Sequence, residues 1–104
     1  MHAAKRIEII ANSAELGKIL DGLEKASVSG YLVIRNVAGK GLSGDAPSAF
    51  EATMLDNAYV IAFCAPESAK PALEAVRPIL NKFGGSCFIS DAMEVGSMRC
   101  VASL

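Results

Sequence analysis

Four short β-forming runs are separated by only two segments of helical spacing, and the middle pair of runs has no helix between them. No other feature of the chain constrains its fold as much. The runs at 5–11 (KRIEIIA), 31–37 (YLVIRNV), 57–65 (NAYVIAFCA) and 86–92 (SCFISDA) are apolar or β-branched and bounded by Asn, Ser, Gly or Pro, the punctuation of strands. Leu16, Ile19, Leu20 and Leu23 fall at i, i+3, i+4 and i+7, just after the cap formers Asn12 and Ser13. This spacing predicts a helix ending near residues 26–29. A second helix is expected from Pro66-Glu67-Ser68, with Ser68 as N-cap and Leu73, Val76, Leu80 and Phe83 as its buried stripe. Pro71 is tolerable in its first turn. Pro78 should kink or shorten it, and Gly84-Gly85 should end it.

The order is therefore βαββαβ. Right-handed crossovers place both helices on one face of the sheet, and the helix-free link makes the second and third strands antiparallel. The expected fold is α+β, a ferredoxin-like split βαβ with an antiparallel sheet and two helices on one face. At 104 residues the chain has the length of a single domain, 1–104. The link at 38–56 is long for a compact domain and rich in Gly, Ser, Ala and Asp, which reads as a functional loop. Residues 95–104 form a tail that could add an edge strand.

Alternation within the strands explains an oddity of composition. The chain is 52% hydrophobic with a net charge of −1, and its mean hydropathy of +0.37 is high for a small soluble monomer. Ile7 and Ile9 lie on one face of the first strand, with Glu8 and Ile10 on the other. Tyr31, Val33 and Val37 oppose Leu32, Ile34 and Asn36, and Tyr59, Ile61 and Phe63 oppose Val60, Ala62 and Cys64. Both faces are apolar, as in sheets covered on both sides, but two helices can cover only one. The other face marks an interaction surface, and self-association into an obligate homo-oligomer is the economical expectation.

Several functions are disfavoured outright. Ten Lys+Arg against eleven Asp+Glu make no basic field, and six scattered aromatics make no stacking platform, so nucleic acid is not an expected partner. Cys64, Cys87 and Cys100 are widely spaced without C-x-x-C, and His2 is the only histidine; no metal site or catalytic dyad is expected. Asp45, Glu51 and Asp56 are spread along the long loop, and Glu67 and Glu74 fall on the exposed side of the second helix. No catalytic constellation emerges, and the chain is read as a non-enzyme. Every apolar run is too short to span a membrane, and Glu8 interrupts what would be a signal-peptide core. A cytoplasmic location is expected, with any membrane contact made indirectly through a partner.

Two glycine-rich turns remain. Gly39-Lys40-Gly41-Leu42-Ser43-Gly44 formally matches G-x-G-x-x-G, but it leaves the second strand for a loop, so it is not a dinucleotide fingerprint. What survives is a backbone able to approach an anion, with Lys40 adding a point charge. Phe83-Gly84-Gly85-Ser86 is sufficiently explained as a helix C-cap and tight turn. Across an oligomer interface the two turns could meet, and with Lys40 and Arg99 they would make an inter-subunit phosphate pocket.

At this point the residues resemble the PII signalling superfamily, over residues 5–99. Gly30-Tyr31-Leu32-Val33 followed by Val37-Ala38-Gly39-Lys40-Gly41 is similar to the family's second strand and the base of its T-loop. Gly84-Gly85-Ser86-Cys87-Phe88-Ile89 is similar to the B-loop and fourth strand, with Gly84 standing for an Asp and Ser86 for the phosphate-binding Lys. Arg99 falls on the second of two family arginines, and Ser97 replaces the first. The T-loop, 38–56, lacks the modified tyrosine, and Leu42-Ser43 replaces Arg-Gln, which speaks against 2-oxoglutarate sensing. The Gly-Lys-Gly loop base is closest to divergent PII-like proteins linked to bicarbonate transport and carboxysomes.

The resemblance implies a homotrimer that binds an adenine nucleotide in the clefts between subunits and contacts a target protein through the T-loop. The implied nucleotide contacts are Gly39, Lys40, Gly41, Gly84, Gly85, Ser86 and Arg99. The missing B-loop lysine and tail arginine favour ADP or AMP over ATP. Bicarbonate is implied at Gly39, Lys40 and Gly41, and the implied target is a transporter or carbon-fixation component. Two alternatives share the architecture. A CutA-type trimer would want a metal cluster, and an acylphosphatase-like enzyme would need an Arg-bearing phosphate loop after the first strand. Ala11-Asn12-Ser13-Ala14 has neither arginine nor glycine.

Overall fold

Asn12 ends the first strand and caps the turn after it. Its side-chain oxygen accepts a hydrogen bond from the Ala14 N–H at 2.9 Å, at the start of a short 3-10 turn, Ser13–Glu15, that leads into the first helix. The structure, a computed structural model, describes residues 1–28, 30–37 and 56–96. Its elements are β1 (His2–Asn12), α1 (Leu16–Lys25), β2 (Gly30–Val37), β3 (Asn57–Cys64), α2 (Pro66–Phe83) and β4 (Ser86–Glu94). The four strands lie in the order β2-β3-β1-β4, and every neighbouring pair is antiparallel. The βαββαβ order and the antiparallel sheet are those expected from the sequence.

The core lies between the sheet and the two helices. Ile7 and Ile9 of β1, Ile19 and Leu23 of α1, Val60 and Ala62 of β3, and Ala72 and Val76 of α2 are almost completely buried. Leu16, Ile19 and Leu23 are the buried stripe of α1, and Leu20 packs partly against it. At Gly22 the helices approach closely, since a Cβ there would lie 3.2 Å from Ala75 Cβ. Gly17 faces open space in the same helix. Gly17→Ala is therefore expected to stabilise the protein by about 1 kcal/mol, raising the midpoint of thermal unfolding by about 4–8 °C.

The second helix departs from expectation in three ways. Its N-cap is Ala65 and Pro66 is its first residue, while Ser68 lies inside the first turn with its N–H donating to Ala65 O at 2.9 Å. Pro66 already supplies the preset φ that starts the helix. The buried stripe is Ala69, Ala72 and Val76; Leu73 and Leu80 are half-buried and Phe83 is exposed. Small side chains face the sheet, and the larger ones lie at the margins. Pro78 does not end the helix, which runs to Phe83. The carbonyl it leaves unbonded is that of Glu74, and both residues are exposed, so water can satisfy the orphan acceptor.

β1 and β4 are longer than the periodicity indicated, because they extend each other. His2 pairs with Glu94 and Ala4 with Ala92, and Lys5 forms an ion pair with Asp91. β2 carries an irregularity between Arg35 and Val37. Asn36 sits there at φ 59, a conformation asparagine tolerates better than most residues. The bulge re-aims the end of β2 just before residue 38.

Candidate functional site

One end of the sheet holds the exit of β2 and the turn before β4. Val37 pairs with Asn57, Asn57 with Asn12, and Ile10 with Ser86. The exit of β2 and the turn before β4 thus share an end of the sheet but stand on opposite edges, about 14 Å apart at ordinary strand spacing. Gly39, Lys40, Gly41, the rest of residues 38–55, and Arg99 lie outside the described residues. Of the predicted contacts, Gly84, Gly85 and Ser86 are placed.

The turn itself requires its glycines. Gly84 donates its N–H to Leu80 O at 2.8 Å, closing α2. It has φ 87, and Gly85 has φ 128. A Cβ on Gly85 would fall 2.7 Å from Ile10 O and 2.8 Å from Leu80 Cδ2. Glycine is there because helix, turn and β1 backbone are pressed together.

Charge collects on both flanks of the turn. On one, Lys18 Nζ lies 4.5 Å from the centroid of the Phe83 ring, and Lys82 Nζ lies 5.2 Å from it. On the other, a shallow groove of about 280 Å³ is lined by Arg77 and Asn81, one helical turn apart, with Gly85 and Cys87. Burial pushes the Cys87 and Cys64 thiols up from their ordinary value, Glu67 adding to the effect at Cys64. Among the described residues no three His, Cys, Asp or Glu side chains converge on a metal position.

The opposite end of the sheet holds a broader concavity of about 1100 Å³, largely apolar, lined by Tyr31, Leu32, Ile61, Phe63, Pro66 and Met93 among others. Sequence reading missed it, since it joins the starts of β1, β2 and α2 to the ends of β3 and β4. About eight strand residues separate Ser86 from this end, roughly 25 Å. A single mononucleotide cannot reach both regions of one subunit.

Between the two ends lies the open face of the sheet. Leu32 is 64% exposed, Ile34 50%, Phe63 49% and Phe88 59%. In their midst the Tyr59 hydroxyl donates to Glu8, and Arg6 Nη2 donates to Glu8 at 3.3 Å. The hydrogen bond to Glu8 raises the Tyr59 phenol above its ordinary value. Alternation made both faces apolar; the helices cover the one carrying Ile7, Ile9, Val60 and Ala62 and leave this one open.

The comparisons with known proteins give the family and the fold. The family model for nitrogen regulatory protein P-II matches residues 4–101. The chain belongs to the P-II family. It is a PII-like signalling protein with the family's βαββαβ fold. Among solved structures, it resembles CPII, a nitrogen regulatory PII-like protein from Thiomonas intermedia K12, bound to ADP, AMP and bicarbonate. The two are 30% identical at a TM-score of 0.75, over 92% of this chain and 96% of that one. CPII bound to ADP, AMP and acetate superposes with a TM-score of 0.76 at 28% identity, over 94% of this chain and 93% of that one. A PII-like signalling protein from Thermus thermophilus shares the fold at 15% identity and a TM-score of 0.68, over 88% of each chain. No curated protein matches the sequence. Among the described residues no helix is long and apolar enough to cross a membrane.

Proposed function

We propose that this P-II family protein is a homotrimeric sensor that binds ADP or AMP together with bicarbonate in the clefts between its subunits. The observation that carries the reading is the likeness, over nine-tenths of both chains, to a protein solved with ADP, AMP and bicarbonate. Residues 1–104 act as one domain, and residues 38–56 within it act as the T-loop that contacts a target, a transporter or carbon-fixation component. The protein acts in the cytoplasm, by binding rather than by catalysis, and reaches membranes only through its target.

Two features of the fold support an inter-subunit site. The open apolar face offers a surface for self-association. The glycine turn and the concavity lie too far apart for one nucleotide within a subunit, whereas neighbouring subunits can bring one against the other. In this arrangement Gly39, Lys40 and Gly41 hold bicarbonate beside the phosphates, and Gly84, Gly85, Ser86 and Arg99 complete the nucleotide's phosphate end.

Titration calorimetry with ATP, ADP and AMP, each with and without bicarbonate, tests the reading. ADP and AMP should bind more tightly than ATP. Bicarbonate should tighten nucleotide binding by the same factor as the nucleotide tightens bicarbonate, because coupling free energy is reciprocal. Lys40→Ala and Arg99→Ala should each weaken ADP by about tenfold, the effect of losing one charge-assisted hydrogen bond. Absence of binding in every combination would refute the sensor reading.

A further inference from the structure

The open apolar face carries a charged pair at its middle. β1 runs between β3 and β4, and Glu8 stands in the row Leu32–Ile61–Glu8–Phe88 that crosses the sheet. Arg6 stands one row away, between Phe63 and Ser90. Within the subunit this pair is incomplete. Arg6 Nη2 makes a single bond to Glu8 Oε1 at 3.3 Å, where a guanidinium fork favours two parallel bonds to a carboxylate. Arg6 Nε is buried and meets no acceptor among the described residues, an arrangement that costs stability. The Tyr59 hydroxyl also donates to Oε1, so Glu8 Oε2 takes part in neither bond. Arg6 thus has a donor to spare and Glu8 has an open oxygen.

Anything that covers this face must answer both groups. A purely apolar surface would take Arg6 and Glu8 out of water and leave them unmet, a penalty that offsets the apolar burial. A second copy of this chain answers them, because it brings the same spare donor and the same open oxygen. We propose that Arg6 of one subunit donates to Glu8 of the next, and that this bond is the lock by which the open face recognises its own kind. In a cyclic assembly each subunit gives its Arg6 to one neighbour and receives at its Glu8 from the other, so every charge is matched when the ring closes. Tyr59 is a positioning residue, holding Oε1 and leaving Oε2 to the neighbour. The lock rests on the homotrimer reading above, and it adds to that reading the residues that select the partner. Strand alternation places Glu8 on this face, but only the hydrogen bonds show which of its oxygens is left open.

The test uses full-length Arg6→Met and Glu8→Met, each alone, the two mixed, and both changes combined in one chain. Arg6 and Glu8 are partly exposed in the subunit, so each variant should keep the parent's circular dichroism. Alone, either variant buries an unmatched charge on assembly, and sedimentation equilibrium should show its dissociation constant raised about tenfold or more. Mixed in equal amounts, the two should form mixed oligomers above the statistical proportion in native mass spectrometry, since Arg6 of one then meets Glu8 of the other. Lys70→Met mixed with Glu74→Met, the same charge changes on the exposed side of α2, should mix statistically. The combined variant replaces a desolvated ion pair by apolar groups and should assemble about as tightly as the parent. Unchanged assembly of the single variants, statistical mixing, an equal excess in the α2 control, or a combined variant as weak as the single ones overturns the lock and leaves a trimeric parent as it is. A dimeric parent, with mixed dimers in excess, keeps the lock and refutes the trimer. A parent that is monomeric at every concentration refutes both.

Discussion

Leu32→Asp is expected to turn the proposed trimer into monomers. Leu32 is the most exposed of the large side chains on the open sheet face, at 64%, and its cross-strand partner is Ile61. In the isolated subunit the substitution removes little burial and places a carboxylate where water can solvate it, so the fold should tolerate it. In an assembly packed through this face, the same carboxylate is desolvated beside apolar groups. Each subunit then loses the contact area of a leucine and gains an uncompensated charge, together a cost of several kcal/mol. Sedimentation velocity at micromolar concentration should show a fall from three times 10.8 kDa to 10.8 kDa, and ADP binding should be lost with the shared clefts. Leu32→Met, which keeps the apolar volume, should remain assembled. A trimer that survives Leu32→Asp at the same concentration would place the interface elsewhere.

Gly85→Ala should be the most damaging small substitution among the described residues. Two penalties combine at this position. Its φ of 128 is a conformation side chains rarely adopt, and the new methyl would meet Ile10 O at 2.7 Å and Leu80 Cδ2 at 2.8 Å. Leu80 could rotate away, but the Ile10 carbonyl belongs to the β1 ladder and cannot move without disturbing the pairing with β4. The combined cost is about 3–4 kcal/mol, a large part of the stability of a domain this size. The thermal midpoint should drop by about 12 °C or more. A drop of only a few degrees would mean that the turn relaxes freely and that β1 does not constrain it.

Much of the fold was legible because the relevant signals are local. The stripe Leu16, Ile19 and Leu23 follows from a 3.6-residue period, and the split between Ile7 and Glu8, or Val60 and Ile61, follows from a two-residue period. The helix-free link made β2 and β3 antiparallel, and counting two helices against a sheet apolar on both sides left one apolar face open. Errors arose where packing overrode spacing. Of the α2 stripe Leu73, Val76, Leu80 and Phe83, plausible by period, only Val76 is fully buried; close approach to the sheet selected Ala69 and Ala72 beside it. Pro78 looked like a breaker because a linear chain does not reveal that Glu74 and Pro78 lie on the exposed side of α2. Of the candidate site, only the Gly84–Gly85 turn was both legible and described by the structure.

The sequence by itself determined the order of elements, the amphipathic pattern of each strand and the membership of the P-II family, all of which depend on residues close together in the chain. Tertiary structure showed that the exit of β2 and the Gly84–Gly85 turn share one end of the sheet, on opposite edges. It also decided that the Ile10 carbonyl leaves no room at Gly85, and that Lys18 of α1 lies against the Phe83 ring of α2. These contacts join residues remote in sequence, and their existence depends on how the whole core packs rather than on any local preference.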